Sequence, residues 1–370
     1  MITDPIGIYL HIPFCVRKCN YCDFCSYPAA GFSRRSEYID RLCDEIASYR
    51  GRKLRADTVF FGGGTPSLLN GDEIRRICES IRQSFDICSD AEFTVEANPK
   101  TLTAEGLRAF MDYGVNRLSI GLQSIHENEL KKLGRIHSFD DFVSTYNFAK
   151  DMGVANINID LMYGIPGQTS DSFVSTLETA AALIPEHLSV YGLIIEEGTD
   201  FYNRRGELDL PTEDQECNMY YDACRILREH GYVHYEISNY SLPGHECRHN
   251  LKYWHGKEYV GFGVSAHSYF DNVRFSNSDD VDLYMNSQNM SFTSLSDEDK
   301  RSEYIMLNLR LAKGISLSDY RSRFALDFIC ENREFINLLH SKGLIRIEND
   351  TLALTEQGFY VSNSILAELI

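Results

Sequence analysis

"GIYLHIPFCVRKCNYCDFC", residues 7–25, decides how the rest of the chain is read. The apolar-rich opening, residues 7–12, predicts a strand. The strand leads into a loop with cysteines at 15, 19, 22 and 25. Two CxxC steps sharing Cys22 could make a zinc site with four thiolate ligands. Zinc sites more often join two CxxC pairs from separate hairpins. Three thiolates on one short loop suit a different metal group: three irons of a [4Fe–4S] cube, with the fourth iron left open for a non-protein ligand.

Outward from that loop the chain alternates helix and strand patterns. Helical spacing covers 33–49, 71–85, 103–114, 138–153 and 169–183. Strand patterns cover 57–63, 92–98, 116–124, 156–164 and 187–194. With the first strand that makes six strands with helices between them. Short loops and buried apolar runs predict parallel strands joined by right-handed crossovers. Six units are too few to close an eight-unit barrel, so the expectation is an α/β fold with an open, partial (β/α)6 barrel.

From about residue 212 the pattern changes. Residues 212–231 read as one long helix, and 232–254 as aromatic-rich and irregular. The tail reads helix, helix, helix and then a hairpin, "LIRIENDTLALTEQG", with Asn349-Asp350 at its turn. That order suggests a C-terminal α+β module of winged-helix type. The expected units are 1–211 (barrel), 212–296 (barrel extension) and 297–370 (C-terminal module).

Composition narrows the function classes. The chain has 370 residues and a net charge of −18, without a strong Lys/Arg cluster, which weighs against nucleic acid as the main partner. It has no run of eighteen apolar residues that would predict a membrane span. The start, "MITDPIGIYL", lacks the basic region of a signal peptide, and the expected location is cytoplasmic. Eleven cysteines in such a chain read as thiols or metal ligands rather than disulfides.

A second motif is "FFGGGTPS", residues 60–67. Glycines at the C-terminal end of a strand let backbone approach a ligand closely, although a tight turn would also account for them. Barrel sites collect at that end of the strands. Glu96 in "VEANP", Gln123 in "GLQS" and Asp160 in "IDLMYG" sit at such ends. A buried carboxylate or amide there needs a partner, such as a ribose hydroxyl or an ammonium.

The loop "CVRKCNYC" after a strand resembles the CxxxCxxC loop of the radical S-adenosylmethionine (SAM) superfamily. The resemblance implies a [4Fe–4S] cluster on Cys15, Cys19 and Cys22, with SAM on the open iron. In that family one electron from the cluster cleaves SAM to a 5′-deoxyadenosyl radical. Tyr21, before the third cysteine, is typical of the family, and the glycine loop corresponds to the one that binds the amino group of SAM. In order, "GIYLHIPFC", "GGGTPS", E-x-NP, "RLSIGLQS", "LGRIHS" and "IDLMYGIPGQT" are similar to the oxygen-independent coproporphyrinogen III oxidase branch. By that resemblance Tyr9, Gly63, Gly64, Thr65, Glu96, Gln123, Arg135, Asp160 and Ile194 line one or two SAM sites.

Departures from the oxidase pattern point to one part of that branch. The oxidase carries a further cysteine at the position of Phe24, and a longer extension before the first strand. "RHNLKYW" (248–254) contains H-N-x-x-Y-W, which is associated with the heme-chaperone-like (HemW-like) members. The resemblance therefore implies heme binding and transfer to heme-accepting proteins, with a small electron-donor protein as a further partner. His249 is the candidate axial ligand to heme, with Cys247, His245 and His255 as neighbouring competitors. The rival readings are oxidative decarboxylation of coproporphyrinogen III and a radical enzyme acting on tRNA.

Overall fold

The computed structural model describes residues 4–286 and 290–370. Its centre is six strands: β1 (Ile6–Ile12), β2 (Leu54–Gly63), β3 (Phe85–Ala97), β4 (Arg117–Gln123), β5 (Asn156–Tyr163) and β6 (His187–Gly192). Each pairs in parallel with the next in sequence. Helices α1 (Arg35–Ala47), α2 (Gly71–Ser84), α3 (Ala104–Asp112), α4 (Glu127–Leu133), α5 (Phe139–Asp151) and α6 (Ser170–Ala182) occupy the connections. The helices start where the sequence supplies caps. Asn70 and Ser138 each accept from the backbone three residues on, and Glu73 and Asp141 return the bond. In α1 the buried side chains Tyr38, Ile39, Leu42 and Ile46 form one stripe at helical spacing.

The strands carry two faces of different character. Ile8, Leu10, Val59, Phe61, Leu118, Ile120, Ile157 and Ile159 point outward into the core under the helices. The alternate positions, including Tyr9, Glu96, Ser119, Asn158, Asp160 and Ser189, line a cavity inside the curved sheet. One face is thus dry and the other polar, with the period of two that a strand imposes.

The expected partial barrel is present, and it extends further than six strands. Among the described residues the sheet has twelve strands, and its two end strands do not pair with each other. Beyond β6 lie β8 (Asn239–Ser241) and β7 (Val233–Glu236), both antiparallel. Beyond β1 lies β9 (Tyr259–Phe262), which is parallel to it, and then the antiparallel β10 (His267–Phe270), β11 (Val273–Ser276) and β12 (Ser291–Ser294). The stretch expected to be irregular, 232–254, contains the β7–β8 hairpin and helix α8 (Arg248–Trp254). The long helix before it, α7, spans Glu213–Glu229. The short α4 has no counterpart in the sequence reading.

The tail follows the expected order of helices and hairpin. Asn349 and Asp350 have φ of 47° and 67°, the paired left-handed conformation of a tight hairpin turn. The hairpin strands Ile345–Glu348 and Thr351–Leu354 gain a third partner, Ile315–Ser316. Backbone bonds from Ile237 to Arg310 and from Ala312 to Tyr235 join this module to the β7 end of the sheet. Among the described residues no helix is long and apolar enough to cross a membrane.

One buried acid anchors α8 to the barrel. Glu92 on β3 is 7% exposed and accepts from the backbone N–H groups of Arg248 and His249, both at 2.9 Å. It satisfies two orphan donors of the helix N-terminus and sits at the positive end of its dipole. Glu92→Ala leaves those donors buried and bare, so it is expected to lower the unfolding free energy by about 2–3 kcal/mol. Denaturant titration checks this; an unchanged midpoint would contradict the anchoring role.

Candidate cluster and cofactor site

The cysteine loop is fastened from several sides. Gly64 N–H donates to the Ile12 carbonyl at 2.8 Å, tying the start of the loop to the glycine turn after β2. Tyr27 N–H returns to the Pro13 carbonyl at 2.7 Å and closes the loop. Midway, Asn20 donates its backbone N–H to Leu133 and its amide to Lys132, the C-terminal carbonyls of α4. Within the loop, Cys15, Cys19 and Cys22 line one cavity of about 300 Å³. Gly63, Gly64, Thr65, Glu96, Gln123, Arg135 and Asp160 line it too. Tyr21 also borders it and packs against a small apolar group that includes Leu133 and Met162.

All eleven cysteines are free thiols. Among the described residues, no three His, Cys, Asp or Glu side chains converge as ligands of a single ion would. A four-iron cube takes its thiolates at separate corners, and the three thiols around one cavity suit it. Two sulfurs have donors: Thr65 Oγ1 lies 3.6 Å from Cys15 Sγ, and Arg135 Nη1 lies 3.7 Å from Cys19 Sγ. Cys25 is not part of the lining. Its thiol donates to the Asp279 carbonyl at 3.3 Å and lies 3.8 Å from the Tyr27 hydroxyl.

A second compartment of about 260 Å³ adjoins the first and shares Glu96, Ser119 and Asp160 with it. Glu96 accepts from Gly63 N–H at 3.2 Å. Burial, reinforced by the charge of Asp160, pushes its pKa up to about 8. Asp160 accepts from Asn158 at 2.7 Å and from Ser119 at 3.1 Å, and burial raises its pKa as well. Two half-buried carboxylates whose hydrogen-bond donors are all neutral suit a ligand bearing an ammonium or hydroxyls. Gln123 is buried with φ of 70°, a left-handed conformation for a non-glycine residue at the same strand ends. The Tyr9 hydroxyl meets His11 Nδ1 at 3.2 Å, and burial raises the tyrosine pKa.

Three expectations change. Ile194 lies two residues beyond β6, is 66% exposed and lines neither compartment. Gly64 is required by protein rather than by space for a ligand. A Cβ there would lie 2.8 Å from the carbonyl oxygens of Ile12 and Phe14. His249 is 1% exposed and lines the inner compartment, and both ring nitrogens have protein partners. Nδ1 bonds Thr58 Oγ1 and Nε2 bonds the Tyr253 hydroxyl, both at 2.8 Å. The ring stacks on Phe60 with centroids 5.2 Å apart, and burial pushes its pKa down to about 3. Cys247 is fully buried against Glu92.

Other lining residues escaped the sequence reading: Asn98, Arg117, Ser119, Asn158 and Ser189. A usable signal was present. Parallel strands covered on both faces read as continuous apolar runs. "RLSIGLQ", "NINIDLM" and "HLSVYG" instead place polar or small residues at alternate positions.

Comparison with known proteins places this geometry in a family. Residues 9–180 match the profile described as "Radical SAM superfamily", and 295–361 match "HemN C-terminal domain". A Lactococcus lactis protein named heme chaperone HemW is 35% identical over 100% of this chain and 98% of its own length. The Bacillus subtilis protein of that name is also 35% identical, over 98% of each chain. The chain belongs to the HemW family of radical SAM proteins. The fold agrees with that of coproporphyrinogen III oxidase (HemN) from Escherichia coli, with a TM-score of 0.85 at 24% identity over 98% of this chain and 89% of that one. Membership of the HemW family implies a [4Fe–4S] cluster and SAM, and the three-thiol cavity with its half-buried carboxylates fits both.

Five substitutions test the site. Cys15→Ala, Cys19→Ala and Cys22→Ala are each expected to abolish iron retention after anaerobic reconstitution, and Cys25→Ala to keep it. Loss of the cluster in Cys25→Ala would reverse the assignment. Because Gly64 packs on the loop backbone, Gly64→Val is expected to lose cluster and SAM binding together. Retention of full cluster absorbance would return that glycine to a role with SAM alone.

Proposed function

We propose that this protein binds heme and transfers it to heme-accepting proteins. One observation carries the reading: relatives named heme chaperone HemW match at 32–39% identity, several of them over essentially the full length of this chain. The sequence features agree. Phe24 stands where the oxidase branch has its additional cysteine, and the H-N-x-x-Y-W segment is present as α8. The −18 charge disfavours tRNA as a substrate. The proposed location is the cytoplasm, and the proposed units are 1–211, 212–296 and 297–370.

Within this reading Cys15, Cys19 and Cys22 hold three irons of the cluster, and Tyr21 shields them. Bound SAM would supply one-electron chemistry at the sulfonium when a small donor protein reduces the cluster. The chain's own residues have defined tasks. Gly63 N–H orients Glu96, and Ser119 and Asn158 orient Asp160. Glu96 and Asp160 present buried oxygens to the ammonium and hydroxyls of SAM. Arg135 and Thr65 face the thiolates, and Tyr9 and Gln123 complete the wall.

His249 acts here as a floor of the barrel rather than as a heme ligand. His249→Ala is expected to cost about 3 kcal/mol of stability, from two buried hydrogen bonds and lost packing. The Soret band of the heme complex is expected to stay in place. A shifted Soret with unchanged stability would restore His249 as the axial ligand.

The functional reading is tested with the pure, cluster-loaded chain. Titration with heme is expected to saturate at a fixed stoichiometry, and mixing with an apo heme protein to move the heme across. No saturable uptake would end the proposal. Anaerobic incubation with coproporphyrinogen III, SAM and a reductant is the parallel assay; multiple-turnover formation of protoporphyrinogen would favour the oxidase.

A further inference from the structure

Asn98 belongs to the E-x-NP turn after β3 and had no role in the sequence reading. Its side chain lies between the two donors that approach the cluster thiols. Asn98 Nδ2 donates to Thr65 Oγ1 at 2.9 Å, and Thr65 Oγ1 in turn points its hydroxyl at Cys15 Sγ, 3.6 Å away. On its other side, Asn98 Oδ1 accepts from Arg135 Nη2 at 2.5 Å. The same guanidinium donates to the Gly121 carbonyl at 2.8 Å and turns Nη1 toward Cys19 Sγ, 3.7 Å away. The result is a continuous chain from one thiol to the other: Cys15, Thr65, Asn98, Arg135, Cys19.

The directions in that chain are forced. Thr65 has one hydroxyl hydrogen. By occupying an acceptor site on Oγ1, the Asn98 amide leaves that hydrogen free for sulfur. Arg135 has only donors, so the Asn98 and Gly121 oxygens fix its plane and aim its remaining N–H groups. Asn98 is itself held, since Thr101 donates to its carbonyl at 2.7 Å from the side chain and at 3.1 Å from the backbone. An asparagine can serve both sides because its amide carries donors at one end and an acceptor at the other; neither aspartate nor leucine can.

We infer that Asn98 is a positioning residue for the iron–sulfur cluster, holding Thr65 and Arg135 as hydrogen-bond donors to the thiolates of Cys15 and Cys19 and thereby setting the cluster's reduction potential. This rests on the cluster assignment of the proposed function. Reduction adds negative charge to the cluster and its sulfurs. Donors to sulfur stabilise the reduced form, so they raise the potential. Removing their support lowers it and weakens the hold on iron. The effect is separate from any contact with SAM, because it operates in the cluster-loaded chain alone.

The test is an EPR-monitored redox titration of the full-length, anaerobically reconstituted chain without SAM. Asn98→Leu is close in size and removes both hydrogen bonds. It is expected to shift the midpoint to more negative potential and to speed iron loss to a chelator several-fold. Thr65→Val removes one donor and is expected to shift the midpoint less in the same direction. The double variant is expected to shift no further than Asn98→Leu, since Asn98 acts through Thr65 and the leucine variant has already lost that donor. Asn98→Asp serves if the leucine variant does not fold. It keeps an acceptor for Arg135 but draws the Thr65 hydroxyl away from sulfur, so its midpoint is expected to match that of Thr65→Val. A wild-type midpoint in a folded, fully iron-loaded Asn98→Leu, or in Asn98→Asp, would overturn the inference, as would additive shifts in the double variant. Failure of the wild-type chain to assemble a four-iron cluster would instead overturn the assignment beneath it.

Discussion

The site depends on one main-chain hydrogen bond, from Gly64 N–H to the Ile12 carbonyl. Parallel pairing of β1 and β2 ends at Ile12 and Gly63, and this bond carries the contact one step past the sheet. It presses the glycine turn against the origin of the cysteine loop. No side chain fits between them, because a Cβ on Gly64 would collide with two carbonyl oxygens. A Cβ on Gly63 would meet the His11 ring at 2.6 Å, so both glycines are needed for backbone packing. The register of two strands thereby fixes where three thiols stand relative to the open end of the barrel.

From there the polar inner wall follows. A sheet with helices outside and a cavity inside can carry polar groups on its inner face only if they satisfy one another or a ligand. Lower down the wall they satisfy one another. Asn158 bridges His187 and Asp160, and His187 reaches the Tyr235 hydroxyl at 2.7 Å. Nearer the thiols, burial keeps the pKa values of Glu96 and Asp160 raised against the pull of their neutral donors. The arrangement grades from self-satisfied at the floor to ligand-ready at the mouth, which is where barrel enzymes place their chemistry.

Legibility in the sequence followed the range of each signal. The parallel strands and their helices were readable because periodicity and caps are local. The loop cysteines were readable because their spacing is itself the ligand geometry. The outer strands were not. Tyr259–Phe262 pairs with β1, more than two hundred residues away, and nothing local announces such a partner. The division of labour among the loop cysteines was half legible. Cys25 follows the spacing rule, yet the chain turns its thiol to Asp279, a contact made only in three dimensions. Asn98 was overlooked because its importance lies in joining Thr65 to Arg135, which no single stretch contains.

The H-N-x-x-Y-W segment shows how a motif can report placement instead of ligation. His249 and Tyr253 bond each other across one helical turn, and Thr58 takes the other imidazole nitrogen. Lys252 pairs with Asp57 at 2.7 Å, and Arg310 of the C-terminal side lies 5.7 Å from the Trp254 ring. His249 and Trp254 are thus engaged with other elements, and Tyr253 with His249 itself. Trp254 faces the C-terminal side, while the histidine and tyrosine seal the barrel floor. To ligate iron through one ring nitrogen, His249 would have to give up one of its two hydrogen bonds, leaving Thr58 or Tyr253 without that partner. The cost of one unsatisfied group there, about 1–3 kcal/mol, is appreciable against the total stability of a domain.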